Sequence, residues 1–207
     1  LGNAALKIGP TIASGCCCVL KPSSQTPLAT LYLGEIMHRI GLPAGVVNII
    51  AGPAGELGDA LNISRIPKMI TLIGSTDTGR QVMAQGASSI KTYSLELGGN
   101  APAIIMEDGD VAQAAKLAVI SQVSNTGQTC IGYNRIYVHA SRYEEFCQRV
   151  QEEFKRVTIG AGRDAGEMVM GPMINKRERD RVLGLIAEAK AHGARGLCGG
   201  DSPAGCE

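Results

Sequence analysis

Two residues in the 207-residue chain have the types and settings to do covalent chemistry: Cys130, in SNTGQTCIGYN, and Glu96, in SLELGGNAP. A free cysteine is most often a small apolar core residue, so the default for any one of the 7 cysteines is burial without chemistry. Cys130 departs from it by following a helical run and the polar turn NTGQT, which places its thiol in a loop rather than on a patterned core face. The remaining cysteines lack that context: Cys16, Cys17 and Cys18 fall in a strand, Cys147 in a helix, and Cys198 and Cys206 near the Gly- and Pro-rich end. Glu96 closes an apolar, β-rich run just before two glycines. Burial there would raise its pKa and suit it to general-base work; standing alone, a solvated strand end is the commoner outcome. A Cys–His hydrolase is the competing chemistry, but His38, His139 and His192 lie in no motif-like loop, and His38 and His192 fall near helix ends.

Several segments have the character of ligand-binding turns. GSTDTGR follows the apolar run KMITLI and opens a helix, so Gly74, Ser75 and Thr76 sit where free N–H groups and the helix dipole hold anions. Ser75 as a simple helix cap is an equal alternative. Arg80 and Gln81 stand where a P-loop requires Lys and Ser or Thr, which excludes that motif. KPSSQTP leaves a strand at Lys21 and turns through Pro22, putting a cation and hydroxyls at a strand's carboxyl end, where open α/β sheets bind ligands. GPAGELG has glycines spaced differently from the dinucleotide fingerprint and is expected only to turn the chain.

The elements that must position these residues alternate. Strands are expected at CCCVLK, VVNIIAG, KMITLIG, KTYSLEL, APAIIME and NRIYVHA. Helices are expected at 28–39, 55–62, 76–87, 111–124, 142–157 and 175–192, with the chain's opening residues resembling a helix entered midway. In the 142–157 helix Phe146, Val150, Phe154 and Val157 form the core face, with Ser141 as N-cap and Glu144 completing a capping box. This order predicts an α/β fold with parallel sheets, divided near Leu97 into residues 1–96 and 97–207.

Bulk properties narrow the partner. A net charge of +1 gives no footprint for nucleic acid or an anionic membrane, and no apolar run reaches the roughly 18 residues of a span. An odd cysteine count without a C-x-x-C pair argues against a disulfide framework and a zinc site, so no metal is expected and a reducing, cytoplasmic setting is the default. The opening LGNAALKIGP has no signal-peptide pattern.

In order along the chain, LKPSSQTP, LPAGVVNIIAGPAGELG, ITLIGSTDTGR, SLELGGNAPAII and NTGQTCIGYNRIYV resemble the aldehyde dehydrogenase superfamily. The resemblance runs from Leu1 to about Asn175 and continues toward the end, and KPSSQTP, LELGGNAP and GQTC before NRIYV look most like succinate-semialdehyde dehydrogenases. It implies partial versions of a Rossmann-like cofactor domain and an α/β catalytic domain. It also implies NADP or NAD as cofactor, a small aldehyde such as succinate semialdehyde as substrate, and a homo-oligomeric parent enzyme.

Carried over residue by residue, the resemblance makes Cys130 the nucleophile that forms a thiohemiacetal and then a thioester. Glu96 becomes the base that activates water, and the Cys130 N–H an oxyanion donor. Lys21 and Ser24 become cofactor-ribose contacts, Gly74, Ser75 and Thr76 the pyrophosphate-binding helix start, and Leu97 a nicotinamide contact. Many family members have Glu where Ser24 stands, so a neutral Ser beside Lys21 implies tolerance of the 2′-phosphate of NADP. Leu72 and Ile73 replace the family's usual Phe and Thr.

The family's upstream oxyanion Asn, downstream ribose-binding Glu and oligomerisation strand have no counterpart here, so an internal fragment with negligible turnover is expected. Loss of one oxyanion donor alone costs about 10²- to 10³-fold. The alternative is a truncated fold relic that keeps nucleotide affinity or an interaction role.

Overall fold

The computed structural model describes residues 2–163 and 168–202 and divides into two compact units, Leu1–Gly98 and Gly99–Glu207. Within the first, α1 (Gly2–Ala13) leads into β1 (Cys18–Leu20), α2 (Leu28–Arg39) and β2 (Val47–Ile49), with β1 and β2 paired in parallel. After α3 (Ala54–Ile63), a second βαβ unit follows: β3 (Met69–Gly74), α4 (Thr76–Gly86) and β4 (Thr92–Leu97). Gly55 and Gly58 of GPAGELG lie inside α3 rather than in the turn before it, which Gly52 and Pro53 make.

The β3–β4 register runs from Met69 opposite Thr92 to Gly74 opposite Leu97. Parallel pairing brings both strands' carboxyl ends to one edge, so Gly74–Ser75 and Glu96–Leu97 leave the sheet side by side. Gly79, buried in α4, lets the helix lie on β4: a Cβ there would stand 3.0 Å from Leu97 Cδ2 and 3.7 Å from Leu95 Cδ1. A polar chain fastens α3 to α4, in which buried Asn62 donates to Gln85 Oε1 at 2.8 Å and Gln85 donates to Asp59 Oδ1 at 2.8 Å. At the helix's end a Cβ on Gly86 would collide with the Tyr93 hydroxyl and lie 3.2 Å from its Cζ. Gly86→Ala therefore destabilises this unit by about 1–3 kcal/mol through overpacking, outweighing alanine's helix preference of about 1 kcal/mol; the denaturant midpoint checks it.

The second unit begins with β5 (Ala101–Ile105), α5 (Val111–Val123) and β6 (Tyr133–Val138), again parallel, with a register irregularity at Ala101/Pro102 where proline cannot donate to the ladder. Asp110 caps α5 through the Gln113 N–H at 3.0 Å. The core joins Ile105, Val111, Ala115, Ala118 and Phe146, with Ile136, Val138 and Val150 packed against it. Phe146 and Val150 thus take the core positions their spacing predicts on α6 (Tyr143–Phe154).

The expected capping box is not formed. Ser141 lies within a 3₁₀ turn (Ala140–Arg142), its hydroxyl 2.8 Å from His139 Nδ1, and α6 starts after Arg142 without a side-chain cap. The imidazole outcompetes Glu144 for Ser141 because it lies on the same tight turn.

Two short strands that hydrophobic pattern did not predict, β7 (Thr158–Ile159) and β8 (Val169–Met170), pair in parallel. Next comes α7 (Lys176–Ala191), capped by Asn175 through the Glu178 N–H at 2.9 Å. Arg181 holds the Glu178 carboxyl below its ordinary pKa by hydrogen bonding. None of the α7 residues is buried, in keeping with its expected solvated face. Among the described residues no helix is long and apolar enough to cross a membrane. Cys206 lies outside the described residues.

Candidate active site

Cys130 occupies an exposed turn between α5 and β6, as its polar surroundings predict. The ends of this loop are tied together: Gln122 Nε2 donates to the Tyr133 carbonyl at 2.8 Å, and the Tyr133 N–H donates to Ser121 Oγ at 3.0 Å. Inside it, Asn125 (φ 52°), Thr126 (φ 59°) and Gly127 (φ 70°) form a run of three left-handed residues. Glycine adopts this conformation freely and asparagine tolerates it, whereas a β-branched threonine there is an outlier costing about 1–3 kcal/mol. Asn125 offsets its own cost locally, donating from Nδ2 to the Gln128 carbonyl at 2.9 Å while Gln128 Nε2 donates back to the Asn125 carbonyl at 3.0 Å.

The loop's amides are largely committed. The N–H groups of Gln128, Thr129 and Gly132 donate to the carbonyls of Asn125, Gly127 and Thr129 at 3.1, 2.9 and 3.1 Å. No acceptor engages the Cys130 N–H among the described residues, so this donor is available beside its own thiol. Gly99 lies close by: a Cβ on it would be 3.4 Å from the Cys130 carbonyl oxygen. The glycine turn is held to β6 by side chains that sequence inspection passed over. Asn134 Nδ2 donates to the Gly99 carbonyl at 3.4 Å, and Arg135 donates to the Asn100 carbonyl from Nε at 3.1 Å and Nη2 at 2.6 Å.

Glu96, at the carboxyl end of β4, is exposed rather than buried, its side chain 54% accessible, and Lys7 Nζ of α1 lies 3.6 Å from its Oε1. Of the two outcomes open to it, Glu96 takes the solvated strand end, because it lies on the open face of a two-stranded pair. Leu97 is half-buried under Gly79.

Across the register, Gly74 faces Leu97 and opens the turn into α4. Ser75 caps the helix, accepting the Thr78 N–H at 3.1 Å, with its hydroxyl 2.8 Å from Thr78 Oγ1. Capping and anion binding are compatible here, since the first-turn N–H groups have no intrahelical acceptor and Ser75 engages only that of Thr78. Thr76 is the first helical residue and is exposed. Lys21 directly follows β1, with Nζ donating to the Pro22 carbonyl at 2.9 Å, and Ser24 is exposed in the bend that follows. The Lys21 and Ser24 segment and the Gly74–Thr76 turn both follow carboxyl ends of parallel strands, the end that binds ligands in α/β sheets.

Of the other described thiols, Cys16, Cys17 and Cys198 are exposed like Cys130, and two are less accessible. Cys147 is buried, and burial pushes the Cys18 thiol above its ordinary pKa, with neighbouring Cys17 adding to the rise.

Residues 1–207 match the sequence profile of the aldehyde dehydrogenase family. The chain is 44% identical over 194 residues to an NADP(+) succinate-semialdehyde dehydrogenase of Escherichia coli, covering 94% of this chain and 40% of the relative. It is 45% identical over 197 residues to a 3,6-anhydro-alpha-L-galactose dehydrogenase of a Vibrio species, covering 95% and 41%. The solved lactaldehyde dehydrogenase of Escherichia coli superposes with a TM-score of 0.93 at 37% identity, covering 98% of this chain and 42% of that one. The chain thus spans about 40% of the length of the curated relatives it matches.

Proposed function

Because the chain belongs to the aldehyde dehydrogenase family, we propose that it carries the nucleophile, the general base and the cofactor-binding turns of an enzyme that oxidises an aldehyde to a carboxylic acid. The observation that carries this is the Cys130 turn: an exposed thiol on a loop fixed at both ends, with an N–H at the same residue that no acceptor among the described residues engages. The Cys130 thiolate adds to the aldehyde carbon, forming a C–S bond and an oxyanion that the Cys130 N–H stabilises. Once hydride has left that carbon, Cys130 holds the acyl group as a thioester. Glu96 takes a proton from water as it attacks the thioester carbonyl, and the acid leaves as the thiol is restored. Succinate semialdehyde or a similar small aldehyde is the substrate we infer, in line with the activity of the Escherichia coli relative.

The chemistry NADP or NAD supplies when bound is acceptance of that hydride. Its fit is supported by the open first turn of α4 behind Ser75, where backbone N–H groups suit a pyrophosphate. Gly74, Ser75 and Thr76 would hold the pyrophosphate, Lys21 and Ser24 the adenine ribose, and Leu97 the nicotinamide. Residues 1–96 form the cofactor-binding part and 97–207 the catalytic part. With Ser24 neutral and Lys21 nearby, the site accepts the 2′-phosphate of NADP. Ser24→Glu lowers affinity for NADP relative to NAD about tenfold, the effect of a partly screened like-charge contact; titration of both nucleotides checks it, and a strong NAD preference of the unmutated protein would sink the NADP assignment.

The test of the function is selective protection. Succinate semialdehyde should shield Cys130 from iodoacetamide while exposed Cys16, Cys17 and Cys198 label as before, each site being quantified by peptide mass spectrometry. Equal labelling of all the exposed thiols, unaffected by aldehyde, would instead identify a fold relic.

A further inference from the structure

The left-handed turn before Cys130 contains one residue whose conformation has no local support. Asn125 is braced by its own side chain and Gly127 needs no brace, but Thr126 is β-branched, and its hydroxyl reaches out of the loop. It donates to the Gly171 carbonyl at 2.9 Å, 45 positions away, with the Pro172 carbonyl at 3.5 Å. A second tether runs to the same segment, the Ile174 N–H donating to Gln128 Oε1 at 3.1 Å. That segment is itself fixed: β8 pairs with β7 immediately before it, the Gly160 N–H donates to the Met170 carbonyl at 3.2 Å, and Asn175 caps α7 immediately after it. The turn is therefore moulded against a frame that starts at β8 and ends at α7.

We propose that Thr126 is a positioning residue for Cys130: its hydroxyl, anchored on the Gly171 carbonyl, holds the left-handed turn that sets the direction in which the Cys130 thiol and N–H leave the loop. The proposal rests on Cys130 being the nucleophile. Asparagine or glycine would adopt the backbone more easily, yet neither carries a hydroxyl on a β-branched carbon to reach Gly171. Thr126 thus trades local strain for a long-range anchor, and β8 and α7 become part of the apparatus that aims the nucleophile. Thr126 touches none of the reacting atoms, so its effect passes wholly through the loop.

The test compares Thr126→Val, Thr126→Ala and Thr126→Ser in the 207-residue chain, following hydrogen exchange at the hydrogen-bonded amides of Gln128, Thr129 and Gly132 and the aldehyde protection of Cys130. Loss of the hydroxyl in the Val and Ala variants should speed exchange of those amides about tenfold, the worth of one hydrogen bond, and raise the half-protecting aldehyde concentration by a similar factor. Thr126→Ser, which keeps the hydroxyl, should stay within about twofold on both readouts. Unchanged exchange across α5 in every variant establishes that the unit remains folded. The proposal is overturned if Thr126→Val matches the unmutated chain, or if Thr126→Ser loosens the loop as much as Thr126→Val. Failure of the nucleophile assignment looks different: Cys130 of the unmutated chain then gains no protection from aldehyde, whatever the exchange rates of the variants.

Discussion

Replacing Cys130 by Ala lowers aldehyde oxidation about 10⁴-fold or more in an active preparation of the protein, the scale on which loss of a covalent nucleophile acts. In the proposed mechanism the thiol forms the bond that makes hydride departure possible, so no neighbouring group would substitute for it. Cys16, Cys17 and Cys198 are also exposed, but they lie elsewhere in the chain and outside the tethered turn. Nucleotide affinity should stay within about twofold, because the cofactor contacts proposed for Lys21, Ser24 and the start of α4 do not include Cys130. Steady-state kinetics with a parallel nucleotide titration separates the two effects. A Cys130→Ala protein that retained more than a tenth of its turnover would exclude thioester chemistry at this residue.

Glu96→Gln has the second largest effect, and it falls on a different step. The amide keeps the size of the side chain but cannot take a proton from water, so hydrolysis of the thioester slows about 10²- to 10⁴-fold while its formation is largely spared. Rapid-mixing experiments should therefore show a stoichiometric burst of reduced nucleotide followed by a slow steady state. Added hydroxylamine, which attacks thioesters without a general base, should restore much of the rate. The Lys7 ion pair at 3.6 Å is lost in the same variant. Lys7→Met separates the two consequences, since it breaks the ion pair and leaves the base in place. A surface pair of this kind contributes about 0–1 kcal/mol, so Lys7→Met should leave the burst absent and turnover within a few-fold of the unmutated protein.

Much of this architecture is legible in the chain because it is local. The 28–39 helix matches α2 from Leu28 to Arg39; five of the six expected strand segments contain an observed strand, and the sixth, NRIYVHA, overlaps β6, which starts one residue earlier at Tyr133, because apolar period and turn residues act over a few positions. The placement of Cys130 in a loop follows in the same way from NTGQT, and the placement of Lys21 and Gly74 from the strands they leave. What depends on distant partners is not legible. The two-residue strands β7 and β8 are too short to have a period to detect. Nothing near Thr126 announces a left-handed turn anchored 45 residues downstream, and nothing near Gly79 announces its contact with Leu97.

The exposure of Glu96 belongs with these: whether a strand-end carboxylate is covered depends on what packs on the open face of β4, which no local pattern encodes, and the solvated strand end is the outcome observed. Ser141 and Glu144 have the right spacing for a capping box, yet His139 lies close enough to engage the hydroxyl first.

In the proposed reaction Cys130 is the residue to which the oxidised substrate becomes covalently attached. The most direct measurement is to mix an active preparation of the protein with NADP and succinate semialdehyde, quench in acid before hydrolysis, and map the acylated peptide by mass spectrometry, using Glu96→Gln to accumulate the intermediate. A hydroxylamine-labile succinyl group is expected on Cys130 and on none of the other cysteines, formed in step with reduced nucleotide. Reduced nucleotide appearing without an acyl group on Cys130, or with the acyl group on a different residue, would contradict covalent attachment at Cys130.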